Sequence, residues 1–234
     1  VADRDAVRSG VTGAEAPAQD QPMARPTPLD LPTARSLEAQ LRARIAPCVD
    51  VPVFSPDECA RIVGLRDTLG FDIAPIVDRT YRSATERAHV VDSEVRKTER
   101  THILATPATR WIFDRVGAIL EGVNQKVWQF DIDHFEPFQL LCYPAGGHFD
   151  WHSDLADRGI AALRKVSATI LLSAPDSYAG GDLQLLDAGK EITPRREHGR
   201  GVFFPSFQNH RVLPVTSGRR DVLIVWSVGK RPLR

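Results

Sequence analysis

Residues 143–154 read Tyr143-Pro144-Ala145-Gly146-Gly147-His148-Phe149-Asp150-Trp151-His152-Ser153-Asp154. The two glycines form a turn signal, and the residues after them alternate polar and aromatic side chains, as a half-buried strand does. In an extended segment alternate residues share a face, so His148, Asp150, His152 and Asp154 line up together. Either His-x-Asp triplet could offer an imidazole and a carboxylate to one metal ion. Spacing alone does not choose between His148–Asp150 and His152–Asp154.

A second imidazole from another strand would complete a set of two histidines and one carboxylate. Such a set occupies one face of an octahedral ion and leaves its remaining positions free, the geometry of non-haem Fe(II) centres. His210 is the candidate, followed ten residues later by Arg220. Thr216-Ser217-Gly218 is a turn signal between apolar runs, and a three-residue hairpin centred on Ser217 would pair Arg220 with Pro214. That register puts Arg220 on the face of His210, displaced by about 13 Å at ~3.3 Å per residue. The gap suits a five-carbon dicarboxylate, and a guanidinium fork suits its far carboxylate. Arg219 would then face solvent.

The chain from 127 onward breaks into short β-type runs separated by Gly, Pro, Asp and Asn. Strands are expected at 127–133, 137–143, 148–153, 165–173, 182–187, 191–197, 200–204, 209–215 and 219–228. Before them, Ser55-Pro56-Asp57-Glu58 marks a helix start running to near Gly70. Thr106-Pro107 opens a second helix carrying Ile112, Val116, Ile119, Leu120 and Val123. Many short antiparallel strands after helices predict a mostly β fold with flanking helices, a double-stranded β-helix (jelly roll) supported by helices on one face.

Two blocks are specific enough to suggest a family. The first is Tyr143-x-x-Gly146-x-x-Phe149-x-x-His152-x-Asp154; the second is His210-x-Val212-x-Pro214-Val215-x-x-Gly218-x-Arg220-x-x-Leu223-x-x-Trp226. Together with Arg164-Lys165-x-Ser167 and Tyr178-x-Gly180-Gly181-Asp182-Leu183, they resemble the prolyl 4-hydroxylase-like Fe(II)/2-oxoglutarate dioxygenases, in particular the bacterial PKHD-type hydroxylases. The resemblance spans about residues 96–228, and its tyrosine and glycine positions register with His152 rather than His148. It implies that His152, Asp154 and His210 bind Fe(II) and that Arg220 clamps 2-oxoglutarate, with Tyr143 a further contact to the oxoacid. These four residues, His152, Asp154, His210 and Arg220, are the expected catalytic set. The resemblance further implies O2 as co-substrate, ascorbate as an accessory reductant, and hydroxylation of an unactivated C–H bond coupled to decarboxylation of 2-oxoglutarate to succinate. The expected substrate is a protein, peptide or amino acid, with a small-molecule natural-product tailoring hydroxylase as the alternative. A non-enzymatic, cupin-like metal-binding module is the third reading. His148 and Asp150 are then rim residues.

Other residues have plainer readings. Gly180-Gly181 reads as a turn, and Arg164 and Lys165 as charges that flank a strand or, alternatively, contact an acidic substrate. Trp128 with Gln139 or Trp151 could line a substrate mouth. His89, His102, His134 and His198 lack paired ligand spacing. The charged stretch 78–100 is the expected lid, with a second mobile loop at 155–163.

With 30 basic and 30 acidic residues among 234, the chain has no global field that would argue for nucleic acid or a membrane surface. Apolar runs stay below the ~20 residues of a membrane helix. Three scattered cysteines, Cys48, Cys59 and Cys142, make neither a disulfide framework nor a thiolate zinc site. No apolar signal-peptide core opens the chain, so the cytoplasm is the expected compartment. Residues 1–34, rich in Ala, Pro, Asp, Gln and Thr, are expected to be a flexible tail. Residues 35–234 would form a single domain, with a helical scaffold at 35–126 and a jelly-roll core at 127–230. Leu37, Leu41 and Ile45 could mark one face of a short helix. Oligomeric state is not read from these patterns.

Overall fold

The computed structural model of the chain describes residues 46–74, 76–77, 89–90 and 94–233. The expected tail at 1–34, the helix at 37–45 and most of the expected lid at 78–100 lie outside the described residues.

The first part of the chain supplies strands β1 (Val49–Pro52), β2 (Asp72–Ile73), β3 (Ile76–Val77), β4 (His89–Val90), β5 (Arg96–Lys97) and β6 (Glu99–Ile103), with helices α1 (Pro56–Gly64) and α2 (Arg66–Leu69) between β1 and β2. Helix α3 (Arg110–Val127) follows. Then come β7 (His134–Phe135), β8 (Phe138–Tyr143), β9 (His148–His152), β10 (Arg164–Leu171), β11 (Tyr178–Gly180) and β12 (Leu183–Asp187). The chain ends through β13 (Lys190–Ile192), β14 (Arg200–Pro205), β15 (His210–Val212), β16 (Val215–Gly218) and β17 (Arg220–Val228).

A major sheet runs in the order β1-β14-β10-β17-β8-β6-β2, with β7 paired to β17. A minor sheet runs β13-β12-β15-β9-β5, and the strand pairs of both sheets are antiparallel. Alternation along the major strands assigns their two faces. On β17, Leu223 and Val225 join Leu140, Ile170 and Phe203 in a core that includes Ile112, Val116 and Leu120 of α3. Val222, the neighbour of Leu223, points to the opposite face. It meets Leu141, Leu171 and Val202 of the same sheet and Leu183, Leu185 and Val212 of the minor sheet. One apolar layer therefore glues the helix to the outside of the major sheet and a second fills the space between the sheets, the double-stranded β-helix expected from the sequence.

Helix α1 starts as its sequence dictates. Ser55 caps Glu58 N–H, and the Glu58 carboxylate accepts the Ser55 N–H at 2.9 Å. The Glu58 carboxyl is lowered by that backbone bond and by Arg115. Helix α3 begins at Arg110, after the turn Thr106–Thr109 whose hydroxyls bond each other at 2.9 Å.

Several expected elements differ. Residues 127–133 are no strand: α3 continues through Val127, and only His134–Phe135 pairs with β17. The strand expected at 191–197 ends at Ile192. The segment expected as a helical scaffold also supplies β1 and β6 to the major sheet. The hairpin centred on Ser217 does not form. β15 belongs to the minor sheet and β17 to the major one, while β16 pairs with β11. Arg220 lies opposite Tyr143, not Pro214.

Candidate active site

β9 and β15 are neighbours in the minor sheet, and their register sets His152 directly opposite His210. Asp154 follows two residues beyond the end of β9, where the chain bends back over the pair. The Asp154 carboxylate oxygens lie 3.9 Å from His152 Nε2 and 3.7 Å from His210 Nε2. One ligand atom from each of the three lies within 4.8 Å of the others. Among the described residues, no other group of histidine, cysteine and acidic side chains converges in this way.

The second nitrogen of each imidazole explains its orientation. His152 Nδ1–H donates to Asp150 O at 2.7 Å, and His210 Nδ1–H donates to Gln208 O at 3.0 Å. With Nδ1 protonated and occupied, the neutral ring keeps its lone pair on Nε2, aimed at the shared point. Phe149 stacks on the His152 ring with centroids 3.5 Å apart, and Phe204 leans on His210 at 4.7 Å. Burial holds His152 down at about 3, with the neighbouring His210 adding to the effect. Burial alone would raise the Asp154 carboxyl, but the facing His210 and His152 side chains, with Arg164 behind, outweigh it and lower the carboxyl. Neutral imidazoles beside an ionised carboxylate are the protonation state in which this set binds a divalent cation.

The loop bearing Asp154 is tied from two sides. Ser153 Oγ donates to Ser206 O at 3.1 Å, and Leu155 N–H donates to the same carbonyl at 2.9 Å. Arg164 Nη1 donates to Asp154 O at 3.0 Å while its other nitrogens fork onto the Glu136 carboxylate at 2.6 and 2.9 Å. The Arg164 guanidinium also lies 3.7 Å above the Trp226 ring. Arg164 thus does more than flank a strand. Its partner Glu136 was not visible as a site residue from the sequence, because the pair is 28 positions apart and carries no local pattern.

Arg220 is the first residue of β17, on the inner face with Val222. It is 3% exposed, its Nη1 has no hydrogen-bond partner, and its guanidinium lies 5.2 Å from the centre of the Tyr143 ring. A buried cation with an unsatisfied donor is costly unless an anion completes it. Arg220 borders a cleft between the sheets whose walls include Thr169, Leu171, Gly181, Leu183 and Val202. Tyr143 is fully buried beside Arg220, and burial raises its phenol. Arg96, buried on β5, stacks over Phe149 at 4.5 Å, and its charge reaches both Tyr143 and Asp154. No spacing rule pointed to it.

The rival triplet stays outside. His148 contacts two main-chain carbonyls, Gly146 O at 3.1 Å and Glu94 O at 3.0 Å. Asp150 is exposed and accepts the N–H of Trp151. Trp128 lies in the outer core with its indole N–H on Ala46 O, away from the site. Trp151 is half-buried under Arg211. Arg219 is exposed as expected, but it also pairs with the buried Asp221 carboxylate at 2.9 Å.

Residues 138–228 match the family model of the 2OG-Fe(II) oxygenase superfamily. A PKHD-type hydroxylase of Pseudomonas fluorescens is 31% identical over 163 residues, 64% of this chain and 72% of that protein. A PKHD-type hydroxylase of Hyphomonas neptunium is 38% identical over 95 residues, 39% of this chain. The matched stretch spans about half the length of the Hyphomonas and Stutzerimonas stutzeri relatives, 42% and 53%. Among solved structures, a Trichoplax adhaerens prolyl hydroxylase in complex with a hypoxia-inducible factor oxygen degradation domain peptide superposes with a TM-score of 0.64 at 18% identity, covering 82% of this chain and 87% of that one. A Pseudomonas putida prolyl-4-hydroxylase gives 0.60 at 21% identity, covering 79% and 93%. At these identities the structural likeness speaks for the fold. By sequence, the chain belongs to the 2OG-Fe(II) oxygenase superfamily and, within it, to the PKHD-type hydroxylases.

Proposed function

We propose that the protein is an Fe(II)- and 2-oxoglutarate-dependent hydroxylase acting on an unactivated C–H bond of a protein, peptide or amino-acid substrate. The observation that carries this reading is the convergence of His152, Asp154 and His210 in the same interior as the buried Arg220, whose Nη1 has no hydrogen-bond partner among the described residues. The donor set fits the metal: two imidazole nitrogens and one carboxylate oxygen on one side, as a facial triad requires.

His152, Asp154 and His210 would hold the iron, and Arg220 would take the far carboxylate of 2-oxoglutarate bidentately. When bound, the metal and oxoacid supply the oxidising power for O2-dependent hydroxylation, with ascorbate as an accessory reductant, and the protein needs no strong acid or base of its own. The chain's contribution is placement. The carbonyls of Asp150 and Gln208 fix the imidazole tautomers, and Arg164 and Ser206 hold the Asp154 loop. The Arg220 charge, enclosed between sheets, discriminates for a dianion over a neutral acid. The apolar walls of the cleft exclude water from its near end.

A peptide substrate is supported by the Trichoplax likeness, a protein seen with a bound peptide. Three free cysteines suit a reducing compartment such as the cytoplasm. No described helix is long and apolar enough to cross a membrane. The test is incubation of the Fe(II)-loaded full chain with 2-oxoglutarate, O2 and a peptide library. Succinate formed in step with peptides heavier by one oxygen atom supports the reading. Iron-loaded, folded protein that forms no succinate with peptides, amino acids or small molecules contradicts it.

A further inference from the structure

Arg220 and Trp226 stand on the same face of β17, the one that carries Val222 and Ile224 toward the minor sheet. The backbone of Trp226 is fixed on both sides: its Cα partner on β10 is Ser167, and its carbonyl accepts the Glu136 N–H at 3.1 Å. Two ties bring the Asp154 loop onto this spot. Ser167 Oγ donates to Ser206 Oγ at 3.0 Å, and the Ser206 carbonyl holds both Ser153 and Leu155. Arg164, whose guanidinium covers the Trp226 ring at 3.7 Å, donates to Asp154 O at 3.0 Å. Trp226 itself is 9% exposed, and its Nε1 is enclosed with no hydrogen-bond partner among the described residues. The indole of Trp128, by contrast, donates to Ala46 O at 3.0 Å. A buried N–H left unbonded is costly, so such a donor points to an acceptor that completes it. The acceptor it faces is the Asp154 carboxylate. Burial works against ionisation there, His210, His152 and Arg164 favour it, and the Trp226 N–H acts in the same direction. The donor stands beside the carboxylate, short of the distance and angle of a made bond.

Asp154 presents Oδ1 to His152 and Oδ2 to His210. A facial triad uses one carboxylate oxygen and leaves the other to be placed. Left loose, the second oxygen can close on the same ion, and a carboxylate held by both oxygens takes a position that the oxoacid and O2 need. We propose that Trp226 is a positioning residue for the metal site: its indole N–H takes the Asp154 oxygen that does not ligate and keeps the carboxylate bound through one atom. The inference rests on the Fe(II) reading proposed above and deepens it by giving Asp154 an anchor on its side chain as well as on its loop. The Arg164 charge over the ring draws electron density from the indole and makes its N–H a stronger donor. Glu136 in turn holds that guanidinium in place.

The test is proton–nitrogen correlation NMR of the full chain during titration with Zn(II), a diamagnetic stand-in for Fe(II), with calorimetry and thermal melts alongside. Of the four indole N–H signals, that of Trp226 is the one lost in Trp226→Phe and in protein carrying benzothienylalanine in place of Trp226, which keeps the ring and replaces its N–H by sulfur. The expected result is a downfield shift of this signal on saturation with Zn(II), with its solvent exchange slowed by about tenfold or more. The benzothienylalanine protein should bind Zn(II) about 10–100-fold more weakly, at an unchanged metal-free melting temperature. A Trp226 signal that stays put while Zn(II) binds, or a benzothienylalanine protein with unaltered Zn(II) affinity, overturns the inference and leaves the metal reading standing. If folded protein does not bind Zn(II), both readings fall. If the signal shifts but the Zn(II)-loaded protein then fails to bind 2-oxoglutarate, the positioning role stands and the co-substrate reading is the one contradicted.

Discussion

The backbone of Gly181 lies against the stem of Arg220: a methyl group on Gly181 would stand 3.0 Å from Arg220 Cδ and 2.8 Å from Val215 Cγ2. Gly181 also has a φ of +68°, a conformation that L side chains rarely adopt. What reads in sequence as a plain turn is therefore a seat for the Arg220 side chain. Gly181→Ala should cost about 1–3 kcal/mol of stability and push the guanidinium off its line. The 2-oxoglutarate affinity of metal-loaded protein, measured calorimetrically, should fall by about tenfold or more with metal affinity preserved. An unchanged oxoacid affinity would show that Arg220 does not depend on this seat.

Arg164 and Glu136 form a fork-to-fork pair with side chains 14% and 11% exposed, and the same guanidinium holds the Asp154 carbonyl. Removing one partner of such a pair leaves a largely enclosed charge, so Glu136→Ala should destabilise the fold by about 3 kcal/mol. Arg164→Met keeps much of the stacking volume over Trp226 but frees the Asp154 loop. Metal affinity should drop about 10–100-fold, as for supporting partners of metal ligands generally. Competition titration with a chelating dye checks this.

Burial pushes the Cys48 and Cys59 thiols up to about 11 and the Cys142 thiol to about 12. Because the thiolate is the nucleophile, all three should resist alkylation in the native protein at pH 8 and react on unfolding. The same shifts carry a sign for stability. The unfolded thiols ionise near pH 9 and the folded ones only near 11–12. Their contribution is therefore complete below about pH 9 and is lost as pH rises through 11–12. Melting temperatures between pH 8 and 11.5 should fall, and less so in Cys142→Ala relative to its own value at pH 8.

The convergent set was legible in sequence because one strand and one tight bend place His152 and Asp154 locally, and the family pattern selected the triplet that the structure brings together with His210. Arg220 was legible as a residue but not by the hairpin argument. A turn signal at Thr216–Gly218 reports local conformation, whereas the sheet partner of β17 is decided by non-local packing, and that partner is β8. β1 was missed because it is short, ends in proline and sits at the edge of the major sheet, where proline is tolerated. β6, Glu99-Arg100-Thr101-His102-Ile103, looks charged and irregular in sequence although Thr101 and Ile103 point inward. Arg96, Arg164 and Glu136 join the site only through pairing between distant strands, for which a single sequence has no signal.

His148 and His152 lie four positions apart on one strand, yet the first contacts main-chain carbonyls while the second shares a ligand point with Asp154 and His210. The most direct measurement is an anaerobic titration of metal-free protein with Fe(II) and then 2-oxoglutarate, following the weak visible charge-transfer band of the chelate. The band should form in the unmodified protein and in His148→Ala, be lost in His152→Ala, and require much higher 2-oxoglutarate in Arg220→Ala. Folded, iron-loaded protein with no band at saturating 2-oxoglutarate, or a band lost in His148→Ala but kept in His152→Ala, would contradict the account.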